Sequence, residues 1–272
     1  MKILPQYQTT NKTNFTSNHR EVRNLFGSVT NRNTTMIFRQ DFSWINFTDY
    51  LINKYQDVKK PHLYCYASSD GAEPYSLAMM LISKLGEKGA KKFFPIIAKD
   101  KDAFILKDAK KGIINLTEDD LRQIKIMTGR PVSNFFDTVD EFNDIHGDWV
   151  CKAKAKGLLK DAVVFEQADV VKDIKNIKKD NSIVLIRHVW PYLGKNERSQ
   201  LIENLDETLG VNSAFIFSRW DNKKCNIEES LINKNFQKSP IDFCYEKVIT
   251  EPENKKQLSN PDFWVMNFIR RK

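Results

Sequence analysis

With 272 residues, the chain is long enough for one large α/β domain or two small ones and can bury a substantial core. Hydrophobic residues make up 41% and charged residues 29%, an ordinary soluble balance, and no apolar run approaches the roughly 20 residues that a membrane span needs. The net charge of +8 raises nucleic-acid binding as a class, but the lysines are scattered among acids without interleaved aromatics, so a solvated basic surface is expected and no nucleic-acid partner.

The opening MKILPQYQTTNKTNF has no apolar stretch fit for secretion. The four cysteines (Cys65, Cys151, Cys225, Cys244) stand far apart, with no C-x-x-C pair and no histidine at metal spacing. A reduced, cytoplasmic protein with no metal site is expected.

Residues 1–45 read as a polar N-terminal arm with a short helical segment around VRNLF (22–26), and 46–272 as the main domain. From residue 62 strands and helices alternate. HLYCYAS is a buried strand, followed by a helix over 73–85 that tolerates Pro74 in its first turn and sets Leu77, Leu81 and Leu85 on one face. FFPIIAKD (93–100) is the second strand, and DAFILKDAKKG (102–112) a helix ending at Gly112. TEDDLRQIKIM (117–127) opens on an N-cap threonine and an acidic first turn.

Residues 128–162 are less regular and form a candidate inserted β-subdomain, with WVCKAKAKG (149–157) as one hairpin arm. AVVFEQADVV, SIVLIRHVW and SAFIFSR are further strands, and 195–210 is an amphipathic helix with Leu201, Leu205 and Leu209 inward. IDFCYEKVIT with FWVMNFIRR reads as a closing antiparallel pair. The alternation predicts an α/β fold with a doubly wound, Rossmann-like, mostly parallel sheet. Ligands of such sheets bind beyond the carboxyl ends of the strands.

That end is where ASSDGAEPYS (67–76) must lie. The turn leaves backbone amides open and places Glu73 at a helix start, an arrangement suited to a small ligand with hydroxyl or amino groups. Asp100 closes the second strand, where a carboxylate commonly takes the two hydroxyls of a ribose. The turn lacks G-x-G-x-x-G and G-K-[ST], which argues against a dinucleotide or a phosphate-cradling loop. Turn plus acid points to a nucleoside-bearing cofactor.

SSDGAEPYSLAMML resembles the signature of the CheR-type chemotaxis-receptor glutamate methyltransferases, whose Ser-x-Gly-x-Glu-Pro-Tyr-Ser turn binds S-adenosylmethionine. Other matches fall in order. NTTMIFR (33–39) resembles the family's Asn-x-Thr-x-Phe-Phe-Arg segment, with Ile37 for the first Phe. AKD (98–100) fits the acidic end of the second strand. FEQADVV (165–171) sits at the family's strand ending in Asn-Leu-Leu, with Asp169 for Asn. IVLIRHVWPYL (183–193) resembles the Cys-Arg-Asn-Val-x-Ile-Tyr-Phe strand, with His188 for Asn and Pro191 for Ile.

The resemblance spans roughly residues 30–220 and implies a methyltransferase that uses S-adenosylmethionine, leaves S-adenosylhomocysteine, and esterifies exposed glutamates of an acceptor protein such as a chemoreceptor. It carries donor contacts to Asn33, Thr35, Arg39, Glu73, Asp100, Asp169 and Arg187: Glu73 on the amino group, Asp100 on the ribose, Asp169 on the adenine amine. Arg39 and Tyr192 are the candidate catalytic pair; Arg39 grips either the donor's carboxylate or the acceptor's, and Tyr192 lines the methyl pocket. The bland alternatives make the arginines plain ion-pair partners, and Tyr192 and Trp190 packing residues. His188 is expected to pack at the strand end. A methyltransferase on another acceptor, and a binding module without turnover, remain alternatives. Only 32 residues precede Asn33, where the family carries a larger helical region.

Overall fold

The computed structural model describes residues 35–143, 147–231, 234–242 and 244–247. Residues 1–34 of the expected N-terminal arm, with the VRNLF helix and the candidate donor contact Asn33, and the FWVMNFIRR segment lie outside them.

Helix α1 (Trp44–Lys54) buries Trp44, Phe47 and Leu51, the spacing of one helical face. Strand β1 (His62–Tyr66) is buried over four of its five residues, as an apolar run without alternation implies for a strand covered on both faces. Helix α2 (Ala72–Ala90) follows, broken at Gly86 by a left-handed φ of 67°; Leu77 and Leu81 are buried and Leu85 packs at the margin. Strand β2 (Ile96–Asp100) comes next.

The helix expected over 102–112 shrinks to α3 (Leu106–Ala109). Asp102 accepts from the Phe104 amide at 2.8 Å, and this side-chain turn competes with a helical start. Strand β3 (Ile113–Thr117) leads into α4 (Glu118–Thr128), where Thr117 and Asp120 form a reciprocal capping box.

Strands β4 (Phe136–Asn143) and β5 (Trp149–Ala155) complete a small antiparallel sheet in the order β3-β5-β4. That sheet therefore takes a strand from before residue 128 as well as the hairpin within 128–162. Helix α5 (Gly157–Ala162), strand β6 (Val163–Gln167), one-turn helix α6 (Val170–Asp173), strand β7 (Ser182–Ile186), helix α7 (Lys195–Thr208) and strand β8 (Ala214–Ile216) follow. Helices α8 (Arg219–Cys225) and α9 (Ile227–Ser230) precede β9 (Phe236–Lys238) and β10 (Cys244–Lys247).

The main sheet runs β6-β2-β1-β7-β8-β10-β9. Its first five strands are parallel, and β10 runs antiparallel to both β8 and β9. The closing antiparallel pair among the described residues is thus β9 with β10, whose connection is tightened by the Ser239 amide donating to the Cys244 carbonyl at 3.0 Å. One sheet face packs Leu63, Cys65 and Ala98 against α1 and α2; the other packs Tyr64, Tyr66, Val184 and Ile186 against α7. From β1 the chain winds to β2 and β6, then crosses to β7 and β8. The order reverses between β1 and β7, which opens a crevice at their carboxyl ends. No helix among the described residues is long and apolar enough to cross a membrane.

Candidate active site

The turn after β1 is built from left-handed residues: Ala67 (φ 53°), Ser69 (φ 50°) and Gly71 (φ 100°). Gly71 is required twice over. Its φ suits glycine, and a Cβ there would stand 2.6 Å from Cζ of Phe165 on β6. The Ser69 amide donates to Asp100 Oδ2 at 2.9 Å, and the Asp102 amide to Asp100 Oδ1 at 2.9 Å. Two backbone donors therefore fix the plane of the carboxylate, which has acceptor sites beyond those two.

Glu73, in the first turn of α2, accepts from Arg187 Nη1 and from the Cys65 thiol at 3.3 Å. Burial, then the charge of Glu73, pushes the Cys65 thiol well up, so it stays a neutral donor. Arg187, just past β7, has a fully buried side chain whose guanidinium lies 4.3 Å over Phe42 and 5.7 Å from the Trp44 ring. Its Nη2 reaches Asp41 Oδ1 at 3.0 Å. Asp41 in turn lies 2.9 Å from His188 Nε2 and 3.8 Å from Arg39 Nε. Burial raises the Asp41 carboxyl, but His188, Arg187 and Arg39 outweigh it and hold it at about 2.

The segment carrying Thr35 and Arg39 is tied down through its backbone. The Ile37 amide donates to Asp120 Oδ1 at 3.2 Å and the Phe38 amide to Ser76 Oγ at 2.8 Å, while both side chains are buried. Asp120 belongs to the capping box of α4, and a second capping box does the same on the far wall. Asp221, paired with Ser218 at the start of α8, accepts from the amides of His188 at 2.7 Å and Trp190 at 3.3 Å. Each capping acid thus anchors one rim segment of the crevice.

These elements enclose a cavity of about 230 Å³ lined by Thr35, Arg39, Glu73, Asp100, Asp169, Arg187 and Tyr192. Seven of the eight residues named from sequence meet in one place; the eighth, Asn33, is outside the described residues. Asp169 and Tyr192 also have partners that sequence did not suggest. Asp169 caps α6 by accepting from the Val171 amide at 3.0 Å and pairs with Lys101 at 2.9 Å. Burial raises its carboxyl, and Lys101, the Val171 amide and Lys172 together outweigh that, leaving it lowered. Tyr192 is 52% exposed and leans on Trp220 at 5.9 Å, so it stands on the rim.

Sequence reasoning missed Asp41, Trp220 and Asp221, and treated His188 as packing. Asp221 had a local signal, the Ser-Arg-Trp-Asp box opening α8. Asp41 had none.

Over residues 33–217 the chain matches the family model described as CheR methyltransferase, SAM binding domain. The chain belongs to the CheR methyltransferase family. A curated relative, chemotaxis protein methyltransferase 2 of Pseudomonas aeruginosa, is 26% identical over 201 residues; the match covers 73% of this chain and 66% of that protein. Two solved structures show more distant likeness. Magnesium protoporphyrin IX methyltransferase of Synechocystis PCC 6803, with bound SAM, has a TM-score of 0.40 at 12% identity, covering 88% of this chain and 97% of that one. A TehB-like SAM-dependent methyltransferase of Corynebacterium glutamicum has a TM-score of 0.35 at 8% identity, covering 88% and 96%.

The CheR domain's cofactor is S-adenosylmethionine, and the cavity's chemistry fits it. Five carboxylates line the cavity (Glu73, Asp100, Asp102, Asp169, Glu197) against three permanent cations (Arg39, Lys101, Arg187). That acid surplus suits a ligand bearing a sulfonium and an ammonium. The ligand's single carboxylate also has candidate partners. Arg187 Nε and Ser69 Oγ, both buried and both on lining residues, have no hydrogen-bond partner among the described residues.

Proposed function

We propose that this protein transfers a methyl group from S-adenosylmethionine to a glutamate side chain of an acceptor protein, forming a carboxyl methyl ester, and that the acceptor is a chemoreceptor. The name of the Pseudomonas aeruginosa relative supports the chemotaxis setting. The observation that carries the reading is one cavity lined by the largely buried pair Glu73 and Arg187, by Asp100, and by the more exposed Arg39 and Tyr192.

Glu73 would hold the donor's ammonium, Asp100 its ribose hydroxyls, and Asp169 with the neighbouring backbone its adenine. When bound, the donor supplies a methyl group activated by a sulfonium. A carboxylate acceptor is already a nucleophile, so the site needs no strong general base. What the residues contribute is position and desolvation. A carboxylate stripped of water must meet a cation, and Arg39 stands at the rim to provide one. Tyr192 gives the arriving side chain an aromatic wall.

Incubating the protein with a lysate of its host and labelled S-adenosylmethionine, followed by mild base, tests the reading. Label released by base is the expected result. Base-stable label would put the methyl group on another kind of acceptor, and donor binding without any label would make the protein a binding module.

A further inference from the structure

We propose that His188 selects an anionic acceptor, its protonated ring supplying the net positive charge at the acceptor end of the cavity. The inference rests on the glutamate-methylating reading and adds a residue and a pH dependence to it.

The charged groups around Asp41 form a row. Glu73 pairs with Arg187, Arg187 with Asp41 at 3.0 Å, and Arg39 stands 3.8 Å from the same carboxylate. Two arginines and two carboxylates balance. His188 Nε2, 2.9 Å from Asp41 Oδ2 but without an aligned N–H···O bond, decides whether the row carries a net charge. With the ring neutral, an incoming carboxylate meets a balanced row in an acid-rich cavity. With the ring protonated, it meets a cation.

Every element packed around the ring bears on that charge. Asp41 faces Nε2 from the segment before α1, and Arg187 precedes it on its own segment. Asp221, on α8, accepts from the His188 amide at 2.7 Å and is itself pushed up by burial, with His188 among the groups that pull it back. Trp220 stacks on the ring at 6.1 Å and also leans on Tyr192 at 5.9 Å, so one indole contacts both cavity-lining side chains. An indole face favours a cation. The backbone of His188 is left-handed at φ 59°, which histidine and asparagine tolerate better than most residues. That places the ring at the cavity wall instead of continuing β7.

The test uses the full chain saturated with S-adenosylhomocysteine and, as probes, N-acetylglutamate amide and its uncharged glutamine counterpart. Affinities are followed by NMR titration between pH 6 and 8, the interval in which histidines ordinarily lose their proton. The expected result is glutamate-probe affinity about tenfold or more weaker at pH 8 than at pH 6, with no pH trend for the glutamine probe. H188N, whose amide suits the same backbone, should bind the glutamate probe weakly at both pH values. D41N removes the ring's counter-charge and should move the wild-type profile to lower pH. Retained binding of S-adenosylhomocysteine shows that each variant is folded. A pH-independent wild type, an H188N profile matching wild type, or no glutamate-probe binding at pH 6 would each overturn the proposal. Failure of the underlying reading shows elsewhere: wild type would then give base-stable label, or none, from the lysate.

Discussion

Two cations are buried in this sheet, Arg187 beyond β7 and Lys99 within β2, and they are finished differently. Lys99 Nζ lies 2.6 Å from Asp173 and 3.2 Å from Glu166, with the rings of Tyr64 and Tyr66 at 5.9 and 5.8 Å. Tyr66 donates a second bond to Asp173 at 2.6 Å. None of these residues lines the cavity. Arg187 is more deeply buried, yet its Nε has no partner among the described residues and its row of ion pairs opens on the cavity. Desolvating a charge costs several kcal/mol, so an incomplete network beside a cavity implies a ligand that completes it, whereas a closed one implies stability alone.

The comparison breaks most visibly at Arg187. Arg187→Met strands Glu73 and Asp41 without their shared cation, and S-adenosylhomocysteine affinity should fall by about 100-fold or more, the scale of losing a buried charge-assisted contact. Calorimetric titration measures it; unchanged affinity would mean the network is structural on both sides of the sheet.

Asp173→Asn should act the opposite way, costing about 3 kcal/mol of stability in urea unfolding while leaving that affinity within twofold. The same variant carries a pH signature. Burial raises the Asp173 carboxyl, but Lys99 and Tyr66 outweigh it and leave it lowered. A lowered carboxyl adds stability that is present above its unfolded value near 4 and is lost as pH falls below it. Wild type should therefore lose stability below about pH 4 more steeply than the variant.

Asp100→Ala should weaken donor binding by about 1.5–3 kcal/mol, the range for bonds to a charged group, because it also releases the Ser69 and Asp102 amides. The smallest effect is expected at Gly71. Adding Phe165→Leu to Gly71→Ala makes room for the methyl group but leaves the left-handed φ, so thermal unfolding should recover only in part, with about 1–2 kcal/mol still missing. Full recovery would show that space alone demands glycine there.

Sequence made the site's local pieces legible because local chemistry dictates them. A buried apolar run, a turn with Gly71, and an acid closing β2 are patterns within a few residues, and they placed Glu73 and Asp100 on one cavity. Strands β2, β6, β7 and β8 of the main sheet were readable for the same reason, as Ile-, Val- and Phe-rich runs, whereas the three-residue β9 was not. Strand β3 escaped, although three of its five residues are Ile or Leu, because it is squeezed between a segment read as a helix ending at Gly112 and the strong helix start at Thr117. Asp41 escaped because its partners are distant in the chain: Arg187 is 146 residues away, and nothing near Asp41 distinguishes it from a surface acid. The use of Asp120 and Asp221 as anchors was half visible, since the capping boxes were local but the rim amides they hold were not.

The interior position of β1, between β2 and β7, has a consequence for how the protein is made. Its β2 edge is filled soon after synthesis, but its other edge pairs with β7, whose residues 182–186 leave the ribosome some 120 positions after residues 62–66. At ordinary translation speeds that interval is on the order of ten seconds. Throughout it the nascent chain displays an apolar strand edge able to template pairing with a neighbouring chain. Slowed elongation between β2 and β7 should therefore raise aggregation during expression, and crowded polysomes should suffer more than dilute ones.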